Sequence, residues 1–315
     1  MEQNEPSGQA EEQHIGLLPM PAAVPSATAG SWIAASPQAA AGNCATCGSP
    51  LRSNPELTMT YPYVYAIGNI EARFPTIGIQ KEYAQVNGRS DTRGMTDQAV
   101  LHETLADANN RYLARSMCYV MTINTVETYI LQPRDSADFD LLIDATRAGY
   151  DPEAIDAVIG VRGPIAPPDA CNGLMLPIVI FDQIYSFDHS SVRDAIPRSK
   201  GMSDSTFNST VDEVLTRIRQ LEDNAGATDE DRALNYLALR YNRIYEETAN
   251  AHGRGESLSG IEVRKAPLSG GRTIVDVILS YTHRSTDVVD KWGVRVDVTE
   301  EFPFLVTKLA PYLER

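Results

Sequence analysis

The sequence has no apolar run of the roughly 18 residues that a bilayer-spanning helix needs, so we expect no membrane segment. It also lacks a secretory signal at its beginning. Residues 1–12 are acidic and polar, whereas a signal peptide has a basic start followed by an apolar core. Both absences lead us to expect a cytoplasmic protein that has no membrane partner.

Runs of lysine or arginine are missing as well. The 315 residues include 27 Lys and Arg against 42 Asp and Glu, which gives a formal net charge of −15. A chain this acidic repels phosphate backbones at neutral pH, so we expect no nucleic-acid partner. The charge instead favours solubility, or attraction to a basic partner protein.

The usual catalytic templates are absent. No serine lies in a Gly-x-Ser-x-Gly sequence. Segment 160–168 lacks the Lys-Ser or Lys-Thr pair of a phosphate-binding loop, and we interpret it as a rigid loop between strands. The histidines do not pair at metal-binding spacing; they are His14, His102, His189, His252 and His283. We therefore predict no catalytic residue and no residue that binds an organic cofactor.

Only four cysteines are present, which does not suggest a disulfide scaffold in a chain this long. Two of them form the sequence Cys44-Ala-Thr-Cys47-Gly48, whose spacing lets both sulfurs turn towards one ion. Zinc usually takes four ligands, so Cys118 and Cys171 would complete a structural four-thiolate site. The alternative is that these two are small buried apolar residues. A redox role for the Cys-x-x-Cys pair is less favoured, because the pair does not lie between a strand and a helix.

Two sets of polar residues have open interpretations. The first lies beside apolar runs and either lines a peptide groove or forms a buried ion pair; its members are Arg162, Asp182 and Gln183. The second resembles a carboxylate cluster; its members are Asp297, Glu300 and Glu301. We interpret the second set as solvated charge at the end of a strand, because no partner acid, base or metal ligand is identifiable.

The composition predicts two regions. Residues 1–43 are rich in Ala, Pro, Gly, Ser and Gln, and they cannot bury enough apolar surface to offset the entropy of ordering. We predict a disordered arm there. Residues 44–315 are expected to form the folded domain.

Hydrophobic periodicity predicts helices over 96–117, 136–148, 206–224 and from Thr228 to about Tyr245, with Thr96 and Thr228 as N-caps. Strands are predicted over 61–68, 118–123, 126–131, 157–161, 174–187, 258–264, 273–282 and 291–298. Asn124 and Thr125 are expected to connect two of these strands as a hairpin turn. The type of segment 301–314 is left open.

These strands and helices are mixed without alternating as β-α-β units, so we predict an α+β fold with a mixed or antiparallel sheet, packed helices and zinc stabilisation. Pro177 lies inside a predicted strand. Because proline cannot donate a backbone hydrogen bond, it implies an edge strand or a bulge. An exposed edge of this kind can accept an extended peptide by strand addition.

Several long segments, in order along the chain, resemble a single family. They include Tyr63-Val-Tyr-Ala-Ile-Gly-Asn-Ile-Glu-Ala-Arg-Phe-Pro75, Val158-Ile-Gly-Val-Arg-Gly-Pro-Ile-Ala-Pro-Pro168, Cys171-Asn-Gly-Leu-Met175, Phe181-Asp-Gln-Ile-Tyr-Ser-Phe187 and Val294-Arg-Val-Asp-Val-Thr-Glu-Glu-Phe-Pro-Phe-Leu-Val-Thr-Lys-Leu309. These segments are similar to the C-terminal domain of uncharacterised function in the PatG-type maturation proteases of cyanobactin pathways. The resemblance covers residues 44–315.

This resemblance implies a pathway that makes ribosomally synthesised, post-translationally modified peptides. It also implies a structural zinc and no established activity. The family's domain usually follows a subtilisin-like protease, for which this chain has no room, so we expect a stand-alone protein. We expect a non-catalytic, zinc-binding accessory protein that binds the precursor peptide or a modifying enzyme of the pathway. The alternative is an enzyme that acts on the precursor at a site with no recognised motif, and a homodimer is left open.

Overall fold

The computed structural model describes residues 62–88, 95–146, 154–187, 203–219, 224–267 and 270–313, apart from the side chains of Thr206, Leu215 and Arg219. The predicted disordered arm, residues 1–43, lies outside these ranges, as do Cys44 and Cys47. Within the described ranges, none of the helices has the length and apolar character needed to cross a bilayer.

Five strands of the first part of the chain close into a barrel. They are β1 (Tyr63–Arg73), β2 (Cys118–Ile123), β3 (Val126–Pro133), β4 (Ile155–Ile165) and β5 (Pro177–Phe187). Their order around the barrel is β1-β2-β3-β5-β4, and neighbours run antiparallel except for the parallel pair β3 and β5. Closure pairs each strand on both sides, so the barrel has no free edge.

The predicted hairpin between β2 and β3 is confirmed. Asn124 and Thr125 have φ values of +48° and +66°, as both central residues of a two-residue hairpin turn of type I′ require. The turn leads into a register in which Val120 lies opposite Ile130. Because side chains alternate along a strand, Cys118 lies on the same face of β2 as Val120.

Within the described ranges, four α-helices accompany the barrel: α1 (Ile77–Asn87), α2 (Asp97–Ala106), α3 (Arg111–Ser116) and α4 (Phe139–Thr146). Thr96 caps α2 as predicted, because its Oγ1 accepts a hydrogen bond from the backbone N–H of Ala99. The expectation of one continuous helix over 96–117 is wrong. Asp107 has extended backbone angles, which end the helix. Its carboxylate accepts a hydrogen bond from the backbone N–H of Asn109, and this bond caps a new 3-10 turn.

In the later part of the chain, the described residues form three helices and a four-stranded antiparallel sheet. The helices are α5 (Asp204–Arg219), α6 (Asp229–Arg240) and α7 (Arg243–Gly253), and the strands are β6 (Glu256–Lys265), β7 (Ile274–His283), β8 (Val289–Asp297) and β9 (Phe304–Pro311). The strands lie in sequence order, β6-β7-β8-β9. The predicted cap Thr228 is confirmed, since it forms a reciprocal capping box with Asp231. Tyr241 interrupts the predicted helix, which is therefore α6 followed by α7.

The barrel strands contribute to two apolar clusters, one on each face. The larger includes Tyr119, Met121, Leu131 and Phe181 and continues into α2, α3 and α4. The smaller lies on the opposite face and consists of Cys118, Val120, Ile130, Ala166, Cys171 and Ile178. Segment 166–176, between β4 and β5, covers the smaller cluster.

Helix α6 joins the later part of the chain to β1 through the turn at Gly226. Tyr65 donates its backbone N–H to Gly226 O at 2.9 Å, and its own carbonyl accepts from Nδ2 of Asn235 at 2.8 Å. Gly226 has φ +72°, and a Cβ added there would overlap the Tyr65 carbonyl. This close approach requires glycine.

Pro177 is not on an exposed edge, so that part of the prediction is wrong. It is the first residue of β5, which lies between β3 and β4 in the closed barrel. The alternative, a bulge, agrees with the register, which shifts between Arg162 and Ile165 where β4 passes Pro177. Segment 160–165, interpreted from the sequence as part of a loop, is the second half of β4.

The predicted α+β class, with mixed and antiparallel strand pairing and packed helices, is confirmed. The closure of the mixed sheet into a barrel was not predicted. Segment 301–314, left open by the sequence, contains the edge strand β9. The backbone N–H of Leu309 donates a hydrogen bond to the hydroxyl of Tyr241 at 2.9 Å, so the residue just after α6 contacts β9.

Candidate functional site

The cysteine pair lies where segment 166–176 meets the barrel. Cys118 begins β2, and Cys171 ends a short 3-10 turn, 53 residues later in the chain. Their Cα atoms are 5.5 Å apart, and the two side chains form a disulfide. Both cysteines are buried in the smaller apolar cluster.

Segment 166–176 is shaped by its own backbone hydrogen bonds. Ala166 N donates to Leu176 O at 2.8 Å and closes the base of the segment. Asn172 and Gly173 have φ values of +49° and +88°, so the chain reverses just after Cys171. Gly173 N donates to Pro168 O at 2.6 Å within this reversal. The segment therefore holds Cys171 against β2 by local geometry.

A pocket of about 360 Å³ opens beside Cys171. Arg73 and Phe74, at the end of β1, form one wall, and residues 171–174 form the other. The guanidinium of Arg73 contacts Glu127 and lies 3.1 Å from Glu71. Acidic partners therefore already pair with this cation of the pocket lining.

The four predicted metal ligands fall into two pairs. Cys118 and Cys171 are adjacent, and Cys44 and Cys47 lie outside the described residues. A disulfide uses both thiolates, so Cys118 and Cys171 can bind zinc only when they are reduced. Among the described residues, no group of three or more His, Cys, Asp and Glu side chains converges on a metal-sized site. The zinc site stays a prediction.

Each described histidine has a polar neighbour other than a cysteine. His102 Nδ1 lies 3.4 Å from the hydroxyl of Thr146, and His252 lies 3.4 Å from the carboxylate of Glu213. His283 accepts from the backbone N–H of Ser285. His14 and His189 lie outside the described ranges.

A second polar cluster joins the barrel to the turn between β8 and β9. Arg134, just after β3, contacts Asp182 of β5 at 2.8 Å and Glu301 of the turn at 3.7 Å. Asp182 therefore forms an ion pair with a partner that sequence reasoning missed, but the pair is not the buried one of the sequence interpretation, because the side chain of Arg134 is 50% exposed. Burial, together with the hydrogen bond and negative charge of Asp182, raises the pKa of Glu301 to about 8.

The interpretation of Asp297 and Glu301 as solvated strand-end charge is wrong. Asp297 is buried and accepts hydrogen bonds from Thr299 and Arg272. Burial raises the pKa of Asp297, but these hydrogen bonds outweigh it and hold the pKa below its usual value. Glu301 lies 3.7 Å from Arg134 and is hydrogen-bonded to Asp182. Glu300 is exposed, as expected.

Arg232 of α6 holds the turn that carries Glu301. Its side chain is buried, and it donates to the carbonyl oxygens of Val298 at 2.8 Å, Glu300, and Glu301 at 3.3 Å. Its guanidinium also lies 5.2 Å from the ring centroid of Tyr63, a cation–π distance. The turn is therefore fixed by a buried cation from the neighbouring helix.

Two family models match the chain. One, described as PatG Domain, matches residues 63–233, and the other, described as PatG C-terminal, matches residues 201–312. A solved structure titled "PatG Domain of Unknown Function" is similar, with 19% sequence identity and a TM-score of 0.65, and the match covers 80% of this chain and 99% of that chain. At that identity the likeness shows the fold alone. No curated protein matches. Because the PatG Domain model matches more than half of the chain, this protein belongs to the PatG domain family.

Proposed function

We propose that this protein is a non-catalytic, zinc-binding accessory protein that acts in the biosynthesis of a cyanobactin-like peptide by binding the precursor peptide or a modifying enzyme. The observation that carries the proposal is the pair of family matches, which together extend from residue 63 to residue 312. PatG-related domains imply a cyanobactin-pathway context.

The zinc is proposed at Cys44, Cys47, Cys118 and Cys171, in the state in which all four are reduced. The donor chemistry fits, since four thiolates form a closed structural zinc site. The 5.5 Å separation between the Cα atoms of Cys118 and Cys171 supports the proposal, because it brings both sulfurs within reach of a single ion. Such a zinc has no open coordination position and would stabilise the fold instead of activating water.

One observation favours the alternative, an enzyme that acts on the precursor. Glu301 has a pKa of about 8, raised by burial and by Asp182, so it holds a proton near neutral pH. A carboxylic acid in that state can serve as a general acid. The proximity of Glu301 and Asp182 also has a structural explanation. Arg134 contacts both carboxylates, and Arg232 holds the turn that carries Glu301.

The test is to incubate the protein with the pathway's precursor, with and without the modifying enzymes. Mass spectrometry follows any covalent change, and calorimetry follows binding. We expect binding to the precursor or to one modifying enzyme, and no mass change caused by this protein alone. A mass change that Glu301→Gln abolishes and Glu300→Gln retains would overturn the accessory role in favour of the enzyme. Absence of binding to the precursor and to every modifying enzyme would also overturn the proposal.

A further inference from the structure

One of the two cysteines in the disulfide borders a pocket. Cys118 and Cys171 are buried in the smaller apolar cluster, with exposures of 4% and 3%. Cys171 also lines the pocket of about 360 Å³, together with Phe74 and residues 172–174. Cys118 is not among the described residues that line it. A molecule in the pocket therefore lies against Cys171 and not against Cys118.

The backbone holds the two cysteines close together without help from the disulfide. Cys118 lies in β2, which is hydrogen-bonded to both β1 and β3. Segment 166–176 is closed at its base by the hydrogen bond from Ala166 N to Leu176 O. The two Cα atoms, 5.5 Å apart, lie within the range that a disulfide spans. None of these backbone contacts involves a sulfur atom, so reduction of the disulfide does not remove them.

The surroundings of the pair also suit reduced cysteines. A free cysteine behaves as a small apolar side chain. The neighbours of the pair in the cluster are apolar, and they include Val120, Ile130 and Ile178. Two thiols are therefore compatible with the same packing, and the bond can open and close again in the folded protein.

We propose that the disulfide is a redox-active site, at which a small uncharged thiol enters the pocket and attacks Cys171. The thiolate of the small molecule forms a bond to Sγ of Cys171, and the bond between the two cysteine sulfurs breaks. The electron pair of that bond goes to Sγ of Cys118, which leaves as a thiolate and takes a proton from water. A second molecule of the thiol attacks the outer sulfur of the mixed disulfide. Cys171 is then released as a thiol, and the small thiol is oxidised to its own disulfide.

The pocket favours this class of thiol by its size and its charge. Its volume is at the lower end of the range of small-molecule sites in proteins, so a protein-sized reductant does not fit. Arg73, the cation among the described lining residues, is already paired with Glu71 and Glu127. The described lining therefore offers no unpaired positive charge to an anionic thiol. Phe74 and Leu174 supply apolar contacts.

The same exchange controls the proposed zinc site, and in this respect the inference rests on the proposed function. The disulfide uses two of the four proposed thiolate ligands. Reduction through the pocket supplies both ligands. Reoxidation by the disulfide of the small thiol removes them again, and zinc is then released.

The first test measures how fast 2-mercaptoethanol reduces the oxidised, full-length protein. Samples are trapped with N-ethylmaleimide, and peptide mass mapping reports each cysteine separately. We expect the rate to be unaffected by urea concentrations below the unfolding transition, because the folded protein reacts. A rate that rises with urea in proportion to the unfolded fraction would overturn the inference. At equal thiolate concentration, the anionic 3-mercaptopropionate should react more slowly, and an equal or faster reaction would overturn the choice of an uncharged thiol.

A matched pair of variants identifies the sulfur that is attacked. Cys118→Ala leaves Cys171 as a thiol, and Cys171→Ala leaves Cys118. With bis(2-hydroxyethyl) disulfide, we expect the mixed disulfide to form about tenfold faster at Cys171 than at Cys118, because the pocket gives access to Cys171. In denaturing urea the two rates should be equal, which is the control. Equal rates in the native variants, or a faster reaction at Cys118, would overturn the inference.

Zinc content separates this inference from the proposed function. If Cys171 reacts as expected but the reduced protein binds no zinc, the inference stands and the proposed zinc site fails. If the reduced protein binds zinc but its oxidised form exchanges only after global unfolding, the proposed function stands and the inference is overturned. Reduced protein that forms no bond between Cys118 and Cys171 in excess bis(2-hydroxyethyl) disulfide would also overturn the inference.

Discussion

Glu301 and Asp182 contact one guanidinium, that of Arg134, at 3.7 Å and 2.8 Å. Asp182 lies in the barrel strand β5, and Glu301 lies in the turn between β8 and β9 of the sheet. The cluster therefore connects segments that are more than 100 residues apart in the sequence. Its titration should be visible in the stability of the whole fold.

Folding is expected to favour the protonated form of Glu301. Its pKa is raised from 4.5 to about 8 in the folded state, so between these values the folded chain binds more protons than the unfolded chain. The contribution of Glu301 to stability is therefore present below pH 4.5 and is lost as the pH rises through about 8. We expect the thermal midpoint of the wild type to fall more steeply over this window than that of Glu301→Gln. Glu300→Gln, a change at the exposed neighbour, should keep the wild-type slope.

Replacing Arg232 should destabilise the protein strongly. Arg232→Met removes the donors to the carbonyls of Val298, Glu300 and Glu301 and leaves them without that partner. The expected loss is about 3 kcal/mol in the free energy of unfolding, measured by urea denaturation. Arg243→Gln, at an exposed position, should change it by less than about 0.5 kcal/mol. A similar small loss for Arg232→Met would show that the buried cation does not hold the turn.

Gly226→Ala tests the junction between α6 and β1. The new Cβ would meet the Tyr65 carbonyl at a backbone φ of +72°, so both steric overlap and backbone strain oppose it. We expect a loss of about 2 kcal/mol or more in the free energy of unfolding. Gly253→Ala is the control, since nothing lies within 4 Å of a Cβ added there. The junction would not need glycine if the two variants unfolded at the same urea concentration.

Purified, reduced protein should contain about one zinc per chain, since four thiolates complete one tetrahedral site. Cys44→Ser should lower both the metal content and the thermal midpoint, because structural zinc contributes its binding energy to folding. Elemental analysis and calorimetry measure the two effects. Zinc-free protein with all four thiols reactive in the native state would contradict the site.

Deleting residues 1–40 should leave the thermal midpoint nearly unchanged. This segment is mostly polar and rich in proline, so its removal should expose little apolar surface on the domain. Differential scanning calorimetry of the truncated chain checks the expectation. A fall of many degrees would show that Ile15–Met20 or Trp32 packs on the domain.

The candidate site was only partly predictable from the sequence. The spacing of Cys44 and Cys47 indicates a metal ligand pair by itself, because two residues between cysteines is a local geometric requirement. Cys118 and Cys171 have no such spacing, and they meet only because segment 166–176 packs on the face of β2 that carries Cys118. Arg134 could not be recognised as the partner of Asp182, because no sequence pattern links these two distant positions.

The sequence by itself determined the features that depend on neighbouring residues: the caps Thr96 and Thr228, the turn at Asn124 and Thr125, and most strands of the α+β fold. These follow from local hydrogen bonds and backbone preferences, which act over a few residues. Only the tertiary structure decided that Pro177 lies inside a closed barrel and that Asp297 is buried. Strand order and burial depend on contacts between distant segments, and the periodicity of a single segment carries no information about its neighbours in space.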